Sequence, residues 1–136
     1  MPGSAAEALN QRGNEQSDRG WLPEAEASYR RAAEADPEWS VPWYNLGLLC
    51  KNQGRWEESL EYNHRATDLA VEDRDAWWNL GIAATALGRW SEARQAWIAW
   101  LGLSSGTPQI AMTASPMNLL TMPPSLMMTP VSSSKY

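Results

Sequence analysis

Apolar residues in the middle of the chain recur at three- and four-residue steps, which places them on one side of a helix. Between residues 40 and 53 this face consists of Trp43, Leu46, Gly47 and Cys50. Ser40 is the expected N-cap, and Pro42 falls in the first turn, where a missing N–H costs nothing. Gly54 follows the last periodic position and is expected to end the helix.

A second apolar face begins two residues after that glycine. It predicts a helix from Trp56 to Ala70, with Leu60, Asn63, Ala66 and either Leu69 or Ala70 turned toward the first helix. The two helices with their glycine turn form a hairpin. One hairpin is too thin to bury its apolar side alone, so its stability must come from neighbouring hairpins.

The same pattern occurs three times at a spacing of 34 residues. Residues 43–47 read Trp-Tyr-Asn-Leu-Gly and residues 77–81 read Trp-Trp-Asn-Leu-Gly, while Gly13 holds the matching place upstream. Turn glycines recur at Gly20, Gly54 and Gly88. A glycine inside a helix costs about 1 kcal/mol relative to alanine. Its recurrence therefore predicts a close approach by the partner helix.

This period and these residues resemble the tetratricopeptide repeat (TPR), a helix–turn–helix unit of about 34 residues. The resemblance implies an all-α fold, a TPR-like α-solenoid of three helix–turn–helix hairpins. The repeat domain is expected over residues 5–103, with units at about 5–38, 39–73 and 74–103.

The two ends of the array depart from the repeat. In unit one Leu9 replaces the tryptophan and Arg12 replaces a leucine, which suits the polar cap that repeat arrays need for solubility. In unit three Trp100 stands where Ala32 and Ala66 stand in the other units. A bulky side chain there would obstruct a fourth unit, so the array is expected to end here.

The composition changes after residue 103. Residues 106–136 contain five Pro, five Met, nine Ser or Thr, one Lys and no acidic residue. No helical period is visible, and this composition is typical of chains that do not pack. Residues 104–136 are therefore predicted to be a low-complexity, disordered and flexible C-terminal tail.

The charge and the cysteine content of the chain argue against several classes of function. The net charge is −5 and all sixteen acidic residues precede residue 93, which argues against a nucleic-acid partner. No run of about 18 uncharged apolar residues predicts a membrane span, and the first ten residues carry no secretory signal. Cys50 is alone and lies on a predicted core face, so we expect a small buried side chain and a cytoplasmic protein.

Catalytic chemistry has no visible basis in the sequence. His64 is the single histidine and has no cysteine or histidine at zinc-ligand spacing. Neither a nucleophile motif nor a phosphate-binding loop is present. The acidic run at Glu57, Glu58 and Glu61 is expected to be a solvated face, with Arg65 paired to Glu61. The chain is therefore expected to be no enzyme and to hold no metal or cofactor.

The resemblance implies that the first helices of successive units line a concave groove. The residues that we assign to peptide binding in this groove are Asn10, Asn14, Tyr44, Asn45, Leu48, Lys51, Trp78, Asn79 and Ile82. The amides of Gln11, Asn45 and Asn79 are expected to lie along one line and to bond a peptide backbone. A peptide anchor is expected between Tyr44 and Trp78. Tyr44 with Leu48, and Trp78 with Ile82, form a second apolar stripe beside the core face. The alternative is that this stripe fills contacts between neighbouring first helices.

Some members of the family hold a C-terminal carboxylate between asparagine and basic side chains. Asn14 and Asn45 match the asparagine places, whereas the basic places read Asn10, Asp75 and Asn79. A carboxylate would be poorly compensated without a cation. The expected partner is therefore a protein or a neutral to mildly basic peptide with an aliphatic or aromatic anchor.

A second function is compatible with the same sequence. If the third unit has no cover, Trp97 and Trp100 are expected to be exposed, and large exposed apolar patches mark interfaces. Burial of these residues against a second copy would give a homodimer.

Overall fold

The computed structural model describes residues 3–105, which form six α-helices joined by short turns. The helices are α1 (Ser4–Asp18), α2 (Leu22–Ala35), α3 (Ser40–Asn52), α4 (Trp56–Leu69), α5 (Arg74–Ala86) and α6 (Trp90–Ser105). They pack as three hairpins, α1 with α2, α3 with α4 and α5 with α6. Contacts of α2 with α3 and of α4 with α5 stack the hairpins into an all-α, TPR-like solenoid. The predicted fold class is confirmed.

Each hairpin turn depends on one glycine with a left-handed backbone. Gly20, Gly54 and Gly88 have φ of 79°, 72° and 71°, a region that side chains with a Cβ avoid. At the second turn the N–H of Gly54 bonds the Lys51 carbonyl at 3.0 Å and the N–H of Arg55 bonds the Cys50 carbonyl at 2.8 Å. These two bonds satisfy carbonyls that the helix end leaves open. The predicted helix stop at Gly54 is confirmed.

The start of α3 differs from the prediction by one residue. Trp39 holds the N-cap position without a side-chain bond, and Ser40 is the first helical residue, so the assignment of Ser40 as N-cap was wrong. At the start of α5 the N-cap residue is Asp73, one of the residue types that cap helices well. The carboxylate of Asp73 accepts from the backbone N–H groups of Asp75 at 3.1 Å and Ala76 at 3.4 Å.

The helical glycines lie where the second helix of each hairpin comes closest to the first. A Cβ added at Gly13 would lie 2.5 Å from the Tyr29 ring. A Cβ at Gly47 would lie 2.5 Å from Asn63. At Gly81 the clash would be with Trp97 at 2.7 Å. Each contact joins residues sixteen positions apart, so the predicted close approach is confirmed.

Two repeated tryptophans pack against the edge of the core and also tie the hairpins together. Trp43 and Trp77, predicted on the core face, are only half-buried. Their indole N–H groups donate to backbone carbonyls six residues upstream, of Pro37 at 3.1 Å and of Val71 at 2.8 Å. The carbonyls belong to the links between units, so each indole fixes the path of the chain into the next hairpin.

The predicted pair of Arg65 with Glu61 was wrong. Among residues 3–105, Arg65 forms no ion pair with Glu61, and its guanidinium instead lies 5.6 Å from the ring centre of Trp43 on the other helix of the same hairpin. His64 bonds Glu92 of the next unit at 2.7 Å.

The third unit corrects one further expectation. Trp97 is only 1% exposed, so the prediction that it forms an exposed surface was wrong. Its ring packs against Gly81 and meets the ring of Trp78 edge-on at 5.2 Å. Trp100 is half-buried, and a homodimer through it stays a prediction. Apart from residues 104 and 105, which belong to α6, the predicted flexible tail lies outside the described residues.

The contact at Gly47 generates a prediction about stability. Gly47→Ala should destabilise the protein by about 1–3 kcal/mol because the added methyl overpacks against Asn63. In the background of Asn63→Ala the same change should become neutral or stabilising, since alanine favours the helix by about 1 kcal/mol. Urea unfolding, monitored by circular dichroism, measures the free energy of unfolding in both backgrounds. An equal loss in the two backgrounds would contradict the close-approach explanation.

Arg55 generates a prediction about pH. It bonds Glu26 of the preceding unit at 2.9 Å and also pairs with Glu58, and its hydrogen bond lowers the pKa of Glu26 below 4.5. A carboxyl with a lowered folded pKa stabilises the fold above its unfolded pKa, and this is lost as the pH falls through the folded value. Because the pair is partly exposed, Glu26→Gln should cost about 1 kcal/mol or less at pH 7.

As the pH falls through the lowered folded pKa of Glu26, the wild type and Glu26→Gln should converge in stability, because the wild-type carboxyl then also becomes neutral. Thermal unfolding from pH 7 to pH 3 measures this convergence. Glu61→Gln removes an exposed carboxylate without an ion pair in the described chain and is the matched control. A constant difference between the wild type and Glu26→Gln at every pH would contradict the pairing.

Candidate functional site

The nine residues assigned to a peptide all lie on the first helices of the three units. We call this surface the inner face. Asn10 and Asn14 lie on α1. Tyr44, Asn45, Leu48 and Lys51 lie on α3, and Trp78, Asn79 and Ile82 lie on α5. Whether they bind a peptide stays a prediction.

Seven of these nine side chains are buried. Tyr44 and Asn79 are 0% exposed, Trp78 is 5% exposed and Lys51 is 9% exposed. Asn10, Asn45 and Leu48 are also buried. Asn14 and Ile82 are half-exposed. Of the nine residues assigned to a peptide, Asn14 and Ile82 are therefore the two that a ligand can reach in this structure.

The aromatic residues of the inner face belong to two separate hydrophobic clusters. Tyr44 packs with Leu48, Ala66 and Ala76, which joins α3 to α4 and α5. Trp78 belongs to a cluster that joins unit three to Leu60 of α4, and its ring centre lies 4.9 Å from that of Trp100. The structure does not place Tyr44 and Trp78 in one cluster. Packing between helices is the alternative that the sequence left open for this stripe.

Polar side chains cross the inner face from helix to helix. The Asn45 amide donates to Oδ1 of Asn10 at 2.9 Å, which joins α3 to α1. The Lys51 ammonium donates to Oδ1 of Asn79 at 3.0 Å, which joins α3 to α5. The expected line of amides is thus continued on α1 by Asn10, whereas Gln11 is exposed. Asn10 was assigned to the peptide but not to this line of amides, because a spacing of 34 residues does not show how far one helix is rotated against the next.

Burial shifts the titration of two groups on this face. The pKa of Lys51 is lowered because burial disfavours the ammonium. The pKa of Tyr44 is raised, first by burial and then by the nearby carboxylates of Asp75 and Asp73. Both shifts follow from the burial of these groups, which limits the access of water.

One buried donor of unit three, Nε1 of Trp78, has no acceptor within the part of the chain that the structure describes. Buried polar groups without partners are uncommon, since each one forfeits its hydrogen bonds to water. The side chain of Asn79, by contrast, is hydrogen-bonded to that of Tyr44, which joins α5 to α3.

A pocket of about 330 Å³ lies away from the inner face, between α2, α3 and α4. Its walls are Arg30, Ala33, Glu34, Pro37, Trp43, Leu46 and Tyr62. No sequence signal pointed to this pocket, because periodicity placed Trp43 on the core face rather than at the surface.

A cluster of possible metal ligands has a simpler explanation. Glu26, Cys50 and Glu58 bring ligand atoms within 4.8 Å of one another. Arg55 already bonds both carboxylates, and burial raises the pKa of the Cys50 thiol to about 11. A thiol must lose its proton to bind a metal. The cluster is therefore best described as an ion-pair network beside a buried cysteine.

Comparison with known proteins agrees with the geometry. The chain belongs to the tetratricopeptide repeat family, whose pattern matches residues 10–70 and 44–106. No curated protein sequence matches the chain. None of the helices in residues 3–105 is both long enough and apolar enough to cross a bilayer.

Solved structures of TPR domains share this fold. The second TPR of Spaghetti (RPAP3), bound to the HSP90 peptide SRMEEVD, is 26% identical with a TM-score of 0.70; the match covers 74% of this chain and 93% of that one. The first TPR of Spaghetti, bound to the same peptide, is 22% identical with a TM-score of 0.72, covering 85% and 90%. The Sgt2 TPR domain from Aspergillus fumigatus is 19% identical with a TM-score of 0.73, covering 93% and 83%.

The burial of Trp78 generates a prediction. Trp78→Ala should destabilise the protein by about 3–5 kcal/mol, because it removes a ring packed against Trp97 and Trp100. Trp90→Ala is the matched control, since Trp90 is 54% exposed, and it should cost less than about 1 kcal/mol. Chemical unfolding followed by circular dichroism measures both changes. A similar cost for the two would show that Trp78 does not carry core packing.

Proposed function

We propose that this protein is a protein-interaction module that binds a peptide segment of a partner on its inner face. The proposal covers a binding role rather than catalysis, since the described residues form no constellation of nucleophile, base and orienting group. The TPR family is an interaction fold. A buried Cys50 without a disulfide partner suits a reducing compartment, so we propose a cytoplasmic location.

The observation that carries the proposal is the row of buried polar side chains across α1, α3 and α5. Asn10, Asn45, Lys51 and Asn79 are at most 9% exposed. Asn45 bonds Asn10 and Lys51 bonds Asn79, so this row joins the three first helices into one surface. Asn14 and Ile82 lie beside the row and are half-exposed, which leaves them accessible to a peptide.

The similar structures support a peptide as the class of ligand. The second Spaghetti TPR is bound to the HSP90 peptide SRMEEVD. We propose a less acidic ligand for this chain, because Asp75 occupies a basic place of the family's carboxylate-binding pattern, and Glu7 and Asp18 lie on α1, the first helix of unit one. Carboxylates at those places repel a peptide that carries several acids.

Ile82 offers a test because it is half-exposed and lies on α5 beside the polar row. Peptides selected from a random library on the wild-type protein should bind Ile82→Gln at least about tenfold more weakly, equivalent to about 1.4 kcal/mol. Val71→Gln is the matched control, since Val71 is 64% exposed and lies outside the inner face. Isothermal titration calorimetry measures the dissociation constants.

Val71→Gln should bind the same peptides within about twofold of the wild type, because no inner-face contact is changed. Circular dichroism checks that both variants keep their helices. Equal binding by Ile82→Gln and Val71→Gln, or a library that yields no binder, would refute the inner face as a peptide site.

A further inference from the structure

The last unit carries an apolar surface that corresponds to an internal joint of the array. At the joint between units two and three, Tyr44, Leu48 and Ala66 belong to one buried cluster and are at most 2% exposed. The residues 34 positions later also belong to one cluster and are Trp78, Ile82 and Trp100. We call these three residues the end face.

The end face is less well covered than the internal joint. Ile82 and Trp100 are only half-buried, whereas Leu48 and Ala66 in the matching places are 2% and 0% exposed. At the joint, the buried cluster also contains Ala76, which the next unit supplies. The described part of the chain ends with α6 and supplies no such residue to unit three. Apolar side chains that water still reaches favour further burial.

The repeat period identifies a residue of this chain that can complete the cover. Ile110 stands 34 positions after Ala76. It lies in residues 106–112, which read Gly-Thr-Pro-Gln-Ile-Ala-Met and contain no charged side chain. Such a segment suits an aromatic surface, because no charge has to leave water when the segment binds.

The segment is also long enough to return to the end face. Five residues lead from Ser105, the last residue of α6, to Ile110, and they span up to about 17 Å when extended. Trp100 lies five residues before the same helix end, which is about 7.5 Å along the helix axis. Ile110 can therefore reach the Trp100 ring without any movement of the described helices.

The tether and the charge of the chain favour this segment over a second copy of the protein. A short tether gives a segment an effective concentration in the millimolar range. A second copy would bring a further net charge of −5 to the surface of the first, and like charges repel one another. Residues 106–112 are uncharged, so they meet no such repulsion.

We propose that residues 106–112 fold back over the end face as a strap, with Ile110 packed against Trp100. Because Pro108 disfavours helical backbone at Thr107, the strap is an extended cover rather than the first helix of a fourth unit. Its anchor is one aliphatic side chain, and its attachment to α6 keeps it beside the surface that it covers.

The strap has a consequence for the inner face, and this consequence rests on the peptide site proposed above. Ile82 belongs both to the end face and to the two assigned residues that a ligand can reach. A strap over the end face therefore covers part of the surface that a partner peptide needs. The peptide has to displace the strap, which lowers its apparent affinity by the fraction of molecules in which the strap is open.

Methyl-group nuclear magnetic resonance tests the strap in the full chain. The protein contains three isoleucines, Ile82, Ile98 and Ile110, so isoleucine-specific methyl labelling gives few signals to assign. The Ile110 methyl should be shifted by tryptophan ring currents away from its position in a synthetic peptide of residues 104–116. It should also show nuclear Overhauser contacts with the Trp100 ring. Both effects should persist on dilution, because the contact lies within one chain.

A substitution in the segment tests whether the contact affects the end face. Ile110→Ser should shift the Ile82 methyl signal, because the strap no longer covers that residue. Leu126→Ser removes an aliphatic side chain farther along the chain and is the matched control, with no expected shift at Ile82. Circular dichroism checks that both variants keep the helical signal of the wild type.

Peptide binding tests the competition. Peptides selected on the wild-type protein should bind Ile110→Ser at least about fivefold more tightly, since the strap no longer occupies their site. Leu126→Ser should bind them within about twofold of the wild type. Isothermal titration calorimetry measures the dissociation constants.

The outcomes separate the strap from the proposed function. An Ile110 methyl that coincides with that of the peptide and has no contact with Trp100 overturns the strap, whether or not peptides bind. A contact that disappears on dilution also overturns it, because the partner is then a second copy. If the methyl contacts are present but no selected peptide binds, the strap stands and the inner-face site is wrong. If peptides bind through Ile82 with equal affinity in the wild type and Ile110→Ser, the competition is wrong.

Discussion

The structure depends on how closely the two helices of each hairpin approach one another. The approach is set by a glycine in the first helix that faces a side chain of the second helix sixteen residues later: Tyr29, Asn63 or Trp97. With no Cβ in the way, the facing side chain can lie directly on the backbone of the first helix. Each hairpin is then thin enough to stack, and stacking completes the interior that a single hairpin lacks.

The identity of the facing side chain makes the three units unequal. Tyr29 and Trp97 fill the contact with an aromatic ring, whereas the middle unit uses Asn63 together with Ser59. The Ser59 hydroxyl donates to the carbonyl of Gly47 at 2.8 Å, and Asn63 donates to the carbonyl of Ser59 at 2.9 Å. The centre of the array is thus held partly by hydrogen bonds, which are directional and fix one arrangement of the two helices.

Polar contacts in the interior continue onto the inner face. Asn45 reaches α1 and Lys51 reaches α5, so the middle unit supplies both connections between neighbouring first helices. The same unit supplies Trp43 to the pocket on the other side of the array. A ligand on the inner face would therefore contact side chains that also hold the units in register. Binding and stability are expected to be coupled in this protein, since any ligand that binds only the folded chain stabilises it.

The sequence by itself determined the local features of the chain. Helix ends, left-handed turn glycines and the helical glycine contacts follow from backbone preferences and from the 34-residue period, and both are visible without knowledge of the neighbours. The core positions Leu46, Cys50, Leu60 and Ala66 follow from periodicity for the same reason. Family resemblance also identified which helices form the inner face.

Only the tertiary structure decided how deeply each side chain is buried and which partner it has. The burial of Tyr44 and Trp97, the pairing of Asn45 with Asn10, and the place of Arg65 over Trp43 all depend on the rotation and offset of one helix against another. Sequence spacing records position along a helix but not that rotation. The burial of Lys51 has the same origin, because a lysine at the end of a helix is ordinarily solvated until a neighbouring unit covers it.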